Sequence, residues 1–543
     1  MLTGPAQGNL LLSGRFESAC NPTAINRDQA TPIPADSAMK QIGAIVAKNA
    51  SANLIRGGAT AMVALALPHF LTRSLDHDRF AAWSLLLQLS AYTTYLDFGV
   101  QTAVARFLAG YIERGDGKHR DRLVCTALAL LCLAAVLAVV VIVVVLWQLP
   151  NLFHGISSEL MPEFRLAAAI LGASVVLALP FSAFSGVLLG LHRNEYVAAA
   201  VGGSRLLGAV GVLLLVRHTH SLVFLSACIA FATLLGSLSQ IVAVKRLLPT
   251  LTISPAGVRA SMALELGEYC FGLTVWTVGM LLISGLDVAI VGHVDFTAVG
   301  YYSIAATLVT LFSGAHTAIC SAFMTPVAAL HASGEMDRIR GVVLRATRLS
   351  TFVNLVAVTV TCLGGKWFLQ RWVGEPYASQ ALPIVEILML AQAVRLVMNP
   401  YASALIATDL QRHGIAQGAI EGVINLVCSI IGAYWIGPLG VALGTLIGAV
   451  CGLGWTSLLT ARRTAEISSG RRTFITEGIL RPFLCTLPLL IFTIVIVLHN
   501  RTLSLNTAVL FGVCAFASYL LASQFGRLLP RPFQFGKPFP QTW

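Results

Sequence analysis

Four polar side chains, Asn49, Asn53, Arg56 and Thr60, interrupt an apolar run at i, i+4, i+7 and i+11, so a helix places them on one face. Gln392, Arg395 and Asn399 make a similar stripe, Glu421 and Asn425 an i, i+4 pair, and Arg205 stands within another apolar run. A planar guanidinium grips phosphate oxygens at two points, so Arg56, Arg205 and Arg395 are assigned to an anionic head group in a polar cavity. A buried ion pair with Glu421, Glu268 or Asp97 accounts for each arginine equally well, and a seam bonded to a neighbouring helix accounts equally for the first stripe. Glu268, Asp287 and His316 are candidates for ion coupling, because a carboxylate or imidazole in a low-dielectric cavity changes protonation as the cavity opens. A lone histidine is more often simply hydrogen-bonded, and the alternative for Asp287 is a solvated helix-end charge at the outer membrane face.

These residues are carried by about fourteen apolar stretches, each long enough to cross roughly 30 Å of hydrocarbon as a helix. Their approximate bounds are 42–71, 80–104, 123–148, 166–190, 197–216, 221–244, 266–290, 299–327, 349–366, 383–407, 414–436, 438–460, 482–498 and 505–523. With 56% hydrophobic and 11% charged residues the chain lacks the polar surface to solvate a globule of 543 residues. About 24 Lys and Arg fall in alternate loops and the tails, against about 7 in the other loops, which places the basic set in the cytoplasm of a multi-pass inner-membrane protein with both termini inside. The net charge of +12 is thereby explained by topology, and no aromatic-interleaved basic stretch argues for nucleic acid.

Of the eleven cysteines, those in the apolar stretches show no paired short spacing and read as small packing residues. The first 38 residues have no apolar core and form neither a signal peptide nor a span, and Met39-Lys40 before the first span suggests an alternative start, which N-terminal sequencing decides. Metal-ligand clusters, Walker glycine loops and sugar-nucleotide aspartate pairs are absent from the sequence, which implies no bound cofactor and no enzyme activity.

Displacing the chain on itself by about 219 residues lays the second span on the eighth, with Ser84 on Ser303, Leu89 on Leu308, Arg193 on Arg412 and Gly203 on Gly422. That interval holds six spans, so the copies enter the membrane in the same direction and are related by an axis along its normal. The expected architecture is an all-α integral membrane protein of two parallel-repeat six-helix bundles plus two C-terminal helices. Residues 1–41 form a polar tail, 42–260 and 261–462 the bundles, 463–525 the accessory helices and 526–543 a second tail. Gly440, Gly444, Gly448 and Gly452 give the twelfth span a smooth strip for close helix approach, while Pro68, Pro180, Pro326 and Pro400 mark bends near span ends.

Tyr95-Leu96-Asp97-Phe98-Gly99-Val100, continuing through Ala105-Arg106-Phe107 to Gly115-Asp116, resembles the second span and following loop of Wzx-like polysaccharide flippases of the multidrug/oligosaccharidyl-lipid/polysaccharide exporter superfamily. Leu286-Asp287-Val288-Ala289-Ile290-Val291-Gly292 with Val299-Gly300-Tyr301-Tyr302-Ser303 resembles that family's seventh-to-eighth span junction, and Gly437-Pro438-Leu439-Gly440-Val441-Ala442 the start of its twelfth. The resemblance covers roughly residues 45 to 460 and implies a V-shaped pair of bundles. It further implies translocation of a polyprenyl-(pyro)phosphate-linked oligosaccharide for exopolysaccharide or O-antigen assembly, with membrane lipids, H+ or Na+ and polysaccharide assembly proteins as partners. On that reading Asn49, Asn53, Gln392, Asn399 and Asn425 hydrogen-bond sugar hydroxyls while the arginines neutralise phosphate. A cation-coupled multidrug exporter is the nearest alternative, and a membrane glycan polymerase or ligase a more distant one. The polar N-terminal tail departs from the pattern, as does His316 where the repeat offers Asp97.

Overall fold

The computed structural model describes residues 57–58, 60–92, 96–321, 323–408, 410, 413–468, 470–498 and 505–524, and Asn49, Asn53, Arg56 and the Met39 start lie outside them. Among the described residues, eleven helices are long and apolar enough to cross a membrane, and they coincide in order with the third to thirteenth apolar stretches. The first stretch is described only in part, and the second is divided between two helices.

The first half of the chain forms α1 (60–74), α2 (His77–Tyr92), α3 (Val100–Glu113), α4 (Gly117–Leu152), α5 (Met161–Ala178), α6 (Ser182–Gly190), α7 (Asn194–Leu215) and α8 (Leu222–Leu247). The second forms α9 (Ala260–Ser284), α10 (Asp287–Val294), α11 (Val299–Ser321), α12 (Met324–Ala332), α13 (Met336–Trp372), α14 (Tyr377–Leu396), α15 (Asn399–Ala407), α16 (Ile415–Ile436) and α17 (Pro438–Trp455). Short helical segments over 456–468 and 471–480 lead into two further long helices, α18 (Arg481–Leu498) and α19 (Leu505–Gln524).

Among the described residues, four helices that run toward the basic loops break before reaching them, and the breaks recur in both halves: α2/α3, α5/α6, α11/α12 and α14/α15. Pro180 and Pro400 sit at two of them, because a proline ring removes a ladder hydrogen bond and crowds the preceding turn. The α2/α3 break works differently. Phe98 and Gly99 take φ of 49° and 78°, and the Asp97 carboxylate accepts the Gly99 N–H at 2.9 Å, so the strained corner is held by its own side chain.

The helix surfaces are those of a protein in lipid. Leu133, Val136, Leu137, Val140 and Val144 stand exposed along α4, where aqueous solvent would demand polar residues. Trp147, Trp367, Tyr434 and Trp435 are exposed at the helix ends away from the basic loops, the position of an interfacial aromatic belt. At the basic end α4 starts with Asp116 accepting the His119 N–H at 3.0 Å, a contact that holds the Asp116 carboxyl below the usual carboxylate range.

The halves meet through α2 and α10–α11, where Phe80, Trp83 and Leu86 share a buried cluster with Val299, Tyr302 and Ala305. Helix α9 is divided between them. Its first turns bury Met262, Leu266 and Cys270 with α3 and α4, while its last turn meets α16. Helix α18 packs on α13, anchored at the basic end by Glu477, which holds both Arg348 and Arg481.

Candidate functional site

Helix α16 carries Glu421, Asn425 and Ser429 at i, i+4 and i+8, and they face Gly452, Gly448 and Gly444 of α17. A Cβ at Gly452 would stand 2.7 Å from Glu421 Oε2, and one at Gly448 would stand 2.8 Å from Asn425 Cβ. The glycine strip is therefore the surface into which a row of polar side chains fits. Arg395 Nε on α14 donates to Glu421 Oε1, and Arg395 Nη2 has no hydrogen-bond partner among the described residues. Glu421 is only 2% exposed, so this pair depends on its own Coulombic and hydrogen-bond energy to offset desolvation. Gln392, one turn earlier on α14, has a buried Oε1 with no partner among the described residues.

Asn425 lies in the middle of the row. Its amide donates to the Ile283 carbonyl at the end of α9, and its Oδ1 accepts Ser429 Oγ at 2.9 Å. Asp287, the first residue of α10, is buried, accepting Tyr302 OH at 3.2 Å and Thr445 Oγ1 at 3.1 Å. Its burial overturns the alternative of a solvated helix-end charge: Tyr302 of α11 and Thr445 of α17 cover the carboxylate.

His316 on α11 joins three elements. Its Nε2 lies 2.9 Å from Ser350 Oγ of α13, and Ser350 Oγ donates to the Leu396 carbonyl at 2.9 Å. Ser350 therefore accepts at Nε2, which assigns the imidazole proton there and leaves Nδ1 to accept from Asn399 Nδ2 at 3.4 Å and Cys320 Sγ at 3.6 Å. Asn399 also donates to Thr317 Oγ1 at 3.1 Å, and Asn354 reaches Ser350 Oγ at 3.3 Å. Ser350 and Asn354, at i and i+4 in an apolar run, carried a signal that sequence reading passed over.

Arg205 on α7 is exposed and donates to Thr60 Oγ1 of α1 at 3.1 Å. Glu268 is exposed on α9 between Leu264 and Phe271, on the same helical face. Asp97 serves the α2/α3 corner. The structure thus joins Arg395, Glu421 and Asn425 in one row along α17 and His316 and Asn399 in a second cluster, seats Asp287 between α11 and α17, and leaves Arg205 against α1.

A second group of polar contacts stitches the halves together at the end away from the basic loops. His69 Nδ1 contacts the Trp372 carbonyl at 2.5 Å, Trp372 Nε1 donates to the Leu65 carbonyl at 2.7 Å, and Arg73 Nη2 donates to the Arg371 carbonyl at 3.3 Å. His77 Nε2 meets the Thr297 carbonyl at 2.7 Å, and His293 Nδ1 meets the Leu152 carbonyl at 2.7 Å. The halves are therefore closed against each other at this end.

Residues 46–329 match the profile of the polysaccharide biosynthesis protein family. The chain belongs to this family. Its fold is shared with a lipid II flippase, MurJ, in an inward closed conformation, at a TM-score of 0.68 and 13% identity over 88% of this chain and 98% of that one. It is shared also with a multidrug-resistance MATE transporter of the MOP superfamily in an inward-facing conformation, at a TM-score of 0.57 and 14% identity, covering 75% of this chain and 99% of that one. The Vibrio cholerae MATE transporter VcmN gives a TM-score of 0.54 at 14% identity, covering 78% and 98% of the two chains. No curated protein matches the sequence. This family member is accordingly a multi-pass membrane protein with the fold that MurJ and the MATE transporters share.

Proposed function

We propose that the chain is a flippase that moves a polyprenyl-(pyro)phosphate-linked oligosaccharide from the cytoplasmic to the outer leaflet of the inner membrane, by alternating access, for exopolysaccharide or O-antigen assembly. The observation that carries this reading is the family match over 46–329, and the arginines give it chemical content. The basic end faces the cytoplasm on the positive-inside rule, with both termini there. The contacts at the opposite end then hold the exit shut, in a state able to accept cargo from inside.

A glycan cannot cross hydrocarbon unaided, so its head group travels in a polar cavity while the polyprenyl tail stays in lipid. Arg205, Arg395 and Arg56 supply positive charge for phosphate, and Gln392 and Asn399 supply amides for hydroxyls, Asn49 and Asn53 being assigned the same task from the sequence. Asn425 and Glu421 hold α9, α14 and α16 in register around them. Asp287, His316 and Glu268 are the groups through which H+ or Na+ would couple, and the membrane potential supplies about 2.3 kcal/mol per charge per 100 mV. Polysaccharide assembly proteins are its partners in this scheme.

The test is complementation of a strain lacking this flippase but retaining its own glycan pathway, with membrane levels confirmed. Wild type restores polysaccharide, whereas Arg205→Ala lowers it about tenfold or more, the equivalent of one lost charge-assisted contact. No rescue by wild type, together with gained resistance to cationic drugs, points to the multidrug exporter that the same fold also serves.

A further inference from the structure

At the closed end, the seam between the halves forms an open pocket of about 460 Å³, and no described residue of the polar stripes lines it. Three rings from three helices line it. The His77 ring centroid is 4.8 Å from that of Tyr301 and 5.5 Å from that of Tyr377, and the two tyrosines are 5.5 Å apart. Thr72, one guanidinium, Arg73, and one carboxylate, Glu375, complete the polar lining, and Gly374 beside Glu375 takes φ of 80°. Arg73 spends Nη1 on His69 and Nη2 on the Arg371 carbonyl, keeping further N–H groups of its fork. Glu375 accepts from Gln370 at 2.9 Å and from the Ser379 N–H at 3.3 Å, and the Gln370 contact holds it below the usual carboxylate range. The Tyr301 hydroxyl makes no hydrogen bond among the described residues.

The balance of charge disfavours a simple anion or cation, since each would meet a like charge at the wall. Aromatic faces beside spare donors and acceptors suit a neutral molecule that is apolar on its C–H face and polar at its rim. A pocket of this volume has room for a sugar ring and its neighbour. From this geometry we infer that the cavity between His77, Tyr301, Tyr377, Arg73 and Glu375 is a sugar-binding subsite. It rests on the flippase reading only for its place on the exit side, where the closed seam that forms it would hold a sugar unit and parting of the halves would release it.

The experiment uses the purified full chain in lipid nanodiscs with maltose, cellobiose and di-N-acetylchitobiose as probes and glycerol as control, read by saturation-transfer NMR. Wild type transfers magnetisation to ring C–H protons of at least one disaccharide and not to glycerol. Tyr301→Ala lowers that transfer about fivefold, Glu375→Gln lowers it without touching a ring, and Tyr434→Ala, at a remote exposed position, leaves it unchanged. Absence of transfer to every probe, or equal transfer in wild type, Tyr301→Ala and Glu375→Gln, overturns the subsite. Binding in a protein that fails complementation sinks the flippase reading alone, and complementation without binding sinks the subsite alone.

Discussion

Glu421→Ala is expected to destabilise the protein by about 3–5 kcal/mol, because it strands the Arg395 guanidinium in a buried setting where its Nη2 already has no partner among the described residues. The carboxylate is lodged against the backbone of α17 at Gly452, so no larger neighbour can move in to replace it. Solvent would have to enter between α14 and α16, or the helices separate. The melting temperature of the solubilised protein, followed by loss of its monodisperse size-exclusion peak, checks this directly. Removing both charges gives a different outcome: Arg395→Met with Glu421→Leu should recover most of the lost stability, since an apolar pair of similar volume replaces the ions without a desolvation cost. If Arg395 also meets cargo phosphate, that double variant stays inactive in polysaccharide synthesis. A Glu421→Ala protein that melts with wild type contradicts the account of the pair.

The second large effect lies one helix further along. At Gly440 of α17 the backbone passes so close to Gly432 of α16 that a Cβ on either would overlap the other's carbonyl group. Backbone cannot change rotamer, so Gly440→Ala forces α16 and α17 apart and loosens the packing of Ser429, Asn425 and Glu421 against the same strip. A loss of about 3 kcal/mol is expected. Gly418→Ala is the control on α16, because open space surrounds its Cβ position and helix propensity favours alanine by up to about 1 kcal/mol. Thermal melts of the two variants should move in opposite directions. Equal melting temperatures would mean that the close approach is not a constraint on the fold.

Hydropathy located helices whose apolar middles sit in lipid, and it located them in order, because an uninterrupted apolar run has few other stable placements. It misjudged their ends. α13 continues through Arg338, Arg340, Arg345 and Arg348 at the basic end, where Glu335, Asp337 and Glu477 receive Arg338, Arg340 and Arg348, so the helix is longer than its apolar segment. Prolines foretold the breaks at Pro180 and Pro400, but nothing comparable announced the left-handed corner at Phe98 and Gly99. The Arg395 and Glu421 side chains were visible as intramembrane charges, and the alternative of a buried pair was written into their types. The closed seam was not visible. His69 and Trp372 are separated by 303 residues, and their contact exists only because α1 and α13 end at the same level beside the same cavity.

The most direct measurement concerns the leaflet that holds the cargo. In spheroplasts of the native host, periodate oxidation followed by hydrazide labelling marks only lipid-linked glycan exposed on the outer leaflet. Depletion of this chain should lower that labelling about tenfold while the total lipid-linked pool rises, and re-expression of wild type should reverse both. Unchanged outer-leaflet labelling in depleted cells, with the pool at its normal size, would contradict the flippase account.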